Sequence, residues 1–200
     1  MRIFEYGQKE IDHLARKDKR LGKLIDRLGF LEREITPCLF EALVTSIIHQ
    51  QISGKAAETV YNRLVNLVGE ITPVNITRLA DFEIQQCGMS MKKAGYIQSA
   101  AESVLSKTID LDAFKKMEDT EIIKQLSSLP GIGVWTAEML MLFSLERPNI
   151  LSYNDFGIKK GMTKLYGVEK IMKPEFEKYR KRYAPYGSVA SLYLWELASE

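Results

Sequence analysis

The sequence has little that could carry metal or redox chemistry. Its two cysteines, Cys38 and Cys87, lie far apart and outside any CxxC spacing, which excludes a disulfide framework or a four-cysteine zinc or iron–sulfur site and fits a reducing compartment. Two histidines, His13 and His49, are too few for the usual ligand sets of a zinc enzyme. With only 6 prolines and 13 glycines, collagen-like and low-complexity classes are out. No run approaches the ~20 apolar residues that span a bilayer. The opening MRIFEYGQKE carries charges where a secretory leader needs an apolar run, so an intracellular protein is expected, in the cytoplasm of a prokaryote or the nucleus of a eukaryote. Neither sign of charge dominates, with 28 Lys and Arg against 26 Asp and Glu, so any nucleic-acid footprint must be local. Alternating strand patterns with hairpin turns are missing too.

What is present is helical. The chain has 200 residues, 46% of them hydrophobic, enough for one compact domain or two interleaved lobes. Ile11, Leu14, Leu21, Leu24, Ile25 and Leu28 form one apolar stripe ending at Gly29. Thr36-Pro37 reads as the N-cap and first position of a helix carrying Phe40, Leu43, Val44, Ile47 and Ile48. Ser53 recaps the next, which Gly69 ends, and Thr72-Pro73 opens a short one. Further helices are expected at about 92–105, 119–128, 134–145, 155–165, 174–183 and 187–197. The fold class is all-α, with ten to a dozen short helices.

The most informative stretch is Leu129-Pro130-Gly131-Ile132-Gly133-Val134-Trp135-Thr136-Ala137. Pro130 closes one helix, and Gly131 and Gly133 permit positive φ and close backbone approach. The next helix starts at once and offers unpaired N–H groups suited to a phosphate oxygen. Helix, glycine turn, helix is the pattern of a helix-hairpin-helix, which grips a DNA backbone without reading sequence; the plain alternative is a tight interhelical turn.

With Phe40-Glu41-Ala42-Leu43, His49-Gln50-Gln51-Ile52-Ser53, Gly88-Met89-Ser90 before Lys92-Lys93-Ala94, and the segment ending in Asp155, the chain resembles the HhH-GPD DNA glycosylases, specifically the DNA-3-methyladenine glycosylase II type. The resemblance covers most of residues 36–197. Larger bacterial relatives carry an additional N-terminal β domain, and this chain is similar to the compact form without it. The resemblance implies a two-lobed core: residues 1–35 plus 146–200 as a terminal lobe, and 36–145 as a central lobe containing the hairpin at about 119–145.

It also implies roles. Asp155 becomes the carboxylate that faces the sugar of an everted nucleotide; on its residues alone it is equally a helix N-cap. Tyr153-Asn154 replaces the Pro and acidic residue often found before this Asp. Trp135, Trp195 and Tyr153 become the base pocket, whose π faces favour a cationic base by ~0.5 to 2 kcal/mol; core packing is the other reading of Trp195. Bifunctional relatives place a Schiff-base lysine where Trp135 stands, so no lyase activity is expected. The bend at 49–53 resembles a DNA-intercalating loop, with Gln51, Ile52 or His49 as the wedge. Gly131, Gly133, Thr136, Gln51, Ile52, Ser53, Lys92 and Lys93 are the expected DNA-binding residues. Lys159, Lys160 and Lys164 are weaker candidates in a tail that has nine Lys or Arg against six acids from residue 151. No cofactor is expected beyond a monovalent cation that the Leu129 and Gly131 carbonyls would hold. The expected partner is duplex DNA with alkylated bases, met by a monomer. The expected activity is monofunctional hydrolysis of the N-glycosidic bond of 3-methyladenine- or 7-methylguanine-type purines. The rivals are a glycosylase for a neutral deaminated or oxidised base, and a non-catalytic DNA-binding module.

Overall fold

The computed structural model describes residues 2–200, and the fold is all-α as expected. Twelve α-helices, one 3-10 turn at Ala113–Lys116 and a two-residue strand pair make up the described secondary structure. The chain divides into two compact units, Met1–Ile35 with Met141–Glu200, and Thr36–Leu140. Met141–Leu145, expected in the central lobe, fall in the terminal unit.

The terminal unit contains α1 (Gln8–Lys17), α2 (Lys19–Leu28), α10 (Phe156–Tyr166), α11 (Lys173–Tyr183) and α12 (Gly187–Ser199). The single stripe expected from Ile11 to Leu28 is broken at Asp18, whose side chain accepts the Arg20 and Leu21 amides at 3.0 and 3.2 Å and so caps a new helix. Every residue from Gly187 to Leu194 is buried, which makes α12 the central helix of this unit. It meets α10 closely, because a Cβ on Gly161 would lie 2.1 Å from the Leu194 carbonyl oxygen. The strand pair, Arg2–Ile3 (β1) against Glu34–Ile35 (β2), was not expected: two residues are too few to show alternation.

The central unit contains α3 (Leu39–His49), α4 (Gly54–Val68), α5 (Pro73–Ile76), α6 (Asp81–Gln85), α7 (Met91–Leu105) and α8 (Asp119–Leu126). Helix α9 (Val134–Phe143) begins in it. Its core is built from Leu43, Ile47, Leu64, Ile76, Ile84, Ile97, Phe114 and Ile122, all fully buried. Ser53 caps α4, Thr72 caps α5 with Pro73 in the first turn, and Ser90 caps α7. The expected cap at Thr36 is displaced: α3 starts at Leu39 behind Cys38, since pairing with β1 holds Glu34–Ile35 extended.

Candidate active site

In the terminal unit the segment leading to Asp155 is tied down at several points. Asn149 Oδ1 accepts the Gly187 amide at 3.2 Å, and the Ile150 amide donates to Ser188 Oγ at 2.9 Å. Ser191 Oγ donates to the Ile150 carbonyl at 2.8 Å, and Arg180 gives the Leu151 carbonyl two N–H bonds at 3.1 and 2.9 Å. The segment then ends in Asp155, the N-cap of α10, which is only 6% exposed. A buried carboxylate needs donors. Asp155 Oδ1 accepts the Ile158 amide at 2.7 Å and Trp195 Nε1–H at 2.9 Å, so the cap reading of Asp155 holds and the same oxygen also carries the indole bond.

Trp195 is therefore neither simple core nor only a pocket wall. Its indole N–H is spent on Asp155, and its ring lies nearly parallel to Phe143 at 5.6 Å. Residue 157 leaves room for this, because a Cβ on Gly157 would sit 2.7 Å from the indole Cδ1. Tyr153 lies on the same segment and is half-buried: it meets Phe176 edge-on at 5.2 Å, with Lys159 Nζ 5.1 Å from its ring centre.

In the central unit the hairpin forms as the glycines require, though not symmetrically. Gly131 has φ of 82°, and a Cβ there would lie 2.3 Å from the Tyr96 ring. Gly133, expected to share that freedom, does not take a positive φ, and a Cβ on it would meet nothing within 4 Å. Its missing side chain leaves open space beside the start of α9, where Trp135 is 46% exposed. Thr136, expected to touch DNA, is buried at 9% exposure.

Gln51, Ile52 and Ser53 are exposed, as is His49. Gln51 adopts φ of 58°, rare for a residue with a Cβ. Lys93, expected to contact phosphate, instead donates from Nζ to the Ile48 carbonyl at 2.8 Å and the Gln50 carbonyl at 2.6 Å. Burial holds its ammonium below the usual lysine value. Lys92 stays exposed. Of the carbonyls expected to hold a monovalent cation, that of Leu129 accepts the Ile132 amide at 3.1 Å and that of Gly131 accepts Gln50 Nε2–H at 2.8 Å, and each keeps a second lone pair.

Residues 44–185 match the family described as the HhH-GPD superfamily base excision DNA repair protein. The chain belongs to this family. DNA-3-methyladenine glycosylase 1 of Schizosaccharomyces pombe is 33% identical over 162 residues, covering 78% of this chain and 71% of that protein. The crystal structure of a DNA-3-methyladenine glycosidase from Bacillus halodurans superposes with a TM-score of 0.90 at 38% identity, covering 99% of this chain and 93% of that one. A 3-methyladenine DNA glycosylase of S. pombe, in complex with abasic DNA, gives a TM-score of 0.81 at 28% identity, covering 94% of this chain and 96% of that one.

This HhH-GPD chain also has features that its sequence did not announce. Phe156, the residue after Asp155, is an apolar ring held out at the first position of α10 and 78% exposed. Gln50 and Tyr96 support the hairpin from outside its motif, and neither residue type signals such a role. Lys160 and Lys164, considered for phosphate, donate instead to the Ala198 and Leu197 carbonyls at the end of α12, the usual use of lysine at a helix C-terminus.

Proposed function

We propose that this chain is a monofunctional DNA glycosylase that hydrolyses the N-glycosidic bond of alkylated purines, of the 3-methyladenine and 7-methylguanine type, in duplex DNA during base excision repair. One observation carries the reading: a buried carboxylate, Asp155, fixed through one oxygen by the Ile158 amide and the Trp195 indole.

The chemistry asks for little else. An N-alkylated purine is already positively charged, so it departs with the bonding electrons as a neutral base and needs no strong general acid. The sugar becomes an oxocarbenium ion at C1′, and a preorganised carboxylate stabilises the developing charge. The same group orients the attacking water and takes its proton as oxygen bonds to C1′, leaving an abasic site and the free base. This hydrolysis calls for no redox group. Trp135, on the resemblance, stands where bifunctional relatives have a lysine; an indole forms no imine, so the strand is left uncut. The exposed Trp135 ring offers π surface to which a cationic base gains more than a neutral one.

The Gly131–Gly133 corner, with the start of α9 behind it, supports a sequence-independent grip on a phosphate. The protein is read as an intracellular monomer. The substrate class is tested by incubating the protein with methylating-agent-treated DNA and with duplexes carrying uracil, hypoxanthine or 8-oxoguanine. Release confined to methylated purines is expected, with strands intact until alkali treatment. Release of a neutral lesion alone, or strand scission with borohydride trapping, would overturn the assignment.

A further inference from the structure

Lys93 is a cation that the proposed chemistry does not use, and its surroundings say what it does. The Nζ group bridges two carbonyls at the C-terminal end of α3, Ile48 in its last turn at 2.8 Å and the C-cap Gln50 at 2.6 Å, where the helix dipole presents partial negative charge. The next residue, Gln51, is held at φ of 58°, a conformation that persists only when its surroundings enforce it. Gln50 supplies a second restraint, donating from Nε2 to the Gly131 carbonyl at 2.8 Å. Gly131 rests on the Tyr96 ring, which stands one helical turn beyond Lys93 on α7. One face of one helix thus supports both the exposed Gln51–Ile52 tip and the glycine corner of the hairpin.

We propose that Lys93 is a positioning residue for base eversion: it fixes the backbone that leads into the Gln51–Ile52 tip, and the Gln50 side chain ties that same backbone to the hairpin, so that the grip on a DNA phosphate and insertion of the tip into the base stack act as one rigid body. This rests on the glycosylase reading. Filling the gap left by an everted nucleotide favours a tip already ordered before DNA arrives. The ammonium spends two of its three N–H donors on backbone carbonyls, so it serves the loop and not a phosphate.

The test compares wild type, Lys93→Met, Lys93→Arg and Gln50→Ala on oligonucleotides with one 7-methylguanine, either paired with cytosine or mismatched with thymine. A mismatched base is cheaper to evert, so Lys93→Met should lose about tenfold in single-turnover release from the paired site and about twofold from the mismatch. Gln50→Ala should show the same selective loss, and Lys93→Arg, which keeps a charged donor, should recover part of it. The salt dependence of binding to undamaged duplex should stay that of wild type in Lys93→Met. Equal losses on both oligonucleotides, no loss on either, or a fall of about 0.9 in the slope of log K against log salt, the signature of a lost phosphate contact, would each overturn the inference alone. No release by wild type from either oligonucleotide would overturn this inference, and no release of any methylated purine from methylating-agent-treated duplex would overturn the glycosylase reading with it.

Discussion

Asp155 and Trp195 set the residue scale. The indole donates to the carboxylate at 2.9 Å, a charge-assisted bond whose loss without replacement costs about 1.5 to 3 kcal/mol. Trp195→Phe keeps an aromatic face and removes the N–H. It should lower the rate of base release about ten- to a hundredfold, while leaving KM and the set of methylated bases released as in wild type. Rapid-quench kinetics with chromatography of the freed bases checks this; a changed base preference at an unchanged rate would make Trp195 a pocket wall alone. The sequence made Trp195 a residue of interest, but a lone Trp beside leucines does not say where its N–H points. That depends on α12 lying against α10, a distance fixed by Gly161 and Gly157, and such close approach is invisible until both helices are placed.

At the element scale, helix boundaries were legible wherever a local cap decides them. Ser53, Thr72, Asp155, Gly29 and Gly69 all end or begin helices as their types suggest. They were illegible where a remote partner decides, as at Thr36, overruled by the pairing of β2 with β1. The hairpin was legible as a motif, but its two glycines are not equivalent. Gly131→Ala meets both a left-handed φ and the Tyr96 ring, so it should lower stability and DNA affinity together. Gly133→Ala meets nothing inside the protein; its stability should stay within about 0.5 kcal/mol of wild type. Its affinity for duplex DNA should fall about tenfold or more if a phosphate approaches there. Thermal melts beside filter binding separate the two, and unchanged affinity in Gly133→Ala would remove that corner from the interface. Gly161→Ala forces a methyl onto the Leu194 carbonyl and should destabilise by about 1 to 3 kcal/mol, read as a lower urea midpoint at unchanged slope.

The whole molecule is legible in class and in the motifs that carry its family, and less so in what fastens distant segments. Asp18 sat in the sequence as one more charge between leucines. In the fold it is buried and joins α2, α10 and α11, accepting from Tyr166 at 2.6 Å and from Arg182 at 2.7 Å. Burial alone would raise its pKa, but the bonds from Tyr166, Arg182 and the Leu21 and Arg20 amides outweigh it and hold the carboxyl below its ordinary value. Its contribution to stability is therefore complete above the unfolded pKa of about 3.9 and is lost as pH falls through the lower native value. Asp18→Asn should cost about 3 kcal/mol near neutrality and flatten the decline in stability below about pH 4, measured by urea unfolding at a series of pH values. A decline as steep as that of wild type would show that other carboxylates govern acid unfolding. None of the described helices is long and apolar enough to cross a membrane.

The most direct test of the central claim is release of free methylated purines from methylating-agent-treated duplex DNA by wild type and by Asp155→Asn, a variant that keeps an amide oxygen to cap α10. Wild type should liberate 3-methyladenine or 7-methylguanine and leave abasic sites, and Asp155→Asn should be slower by about a hundred- to a thousandfold with its fold intact. Release by Asp155→Asn at the wild-type rate would contradict the account.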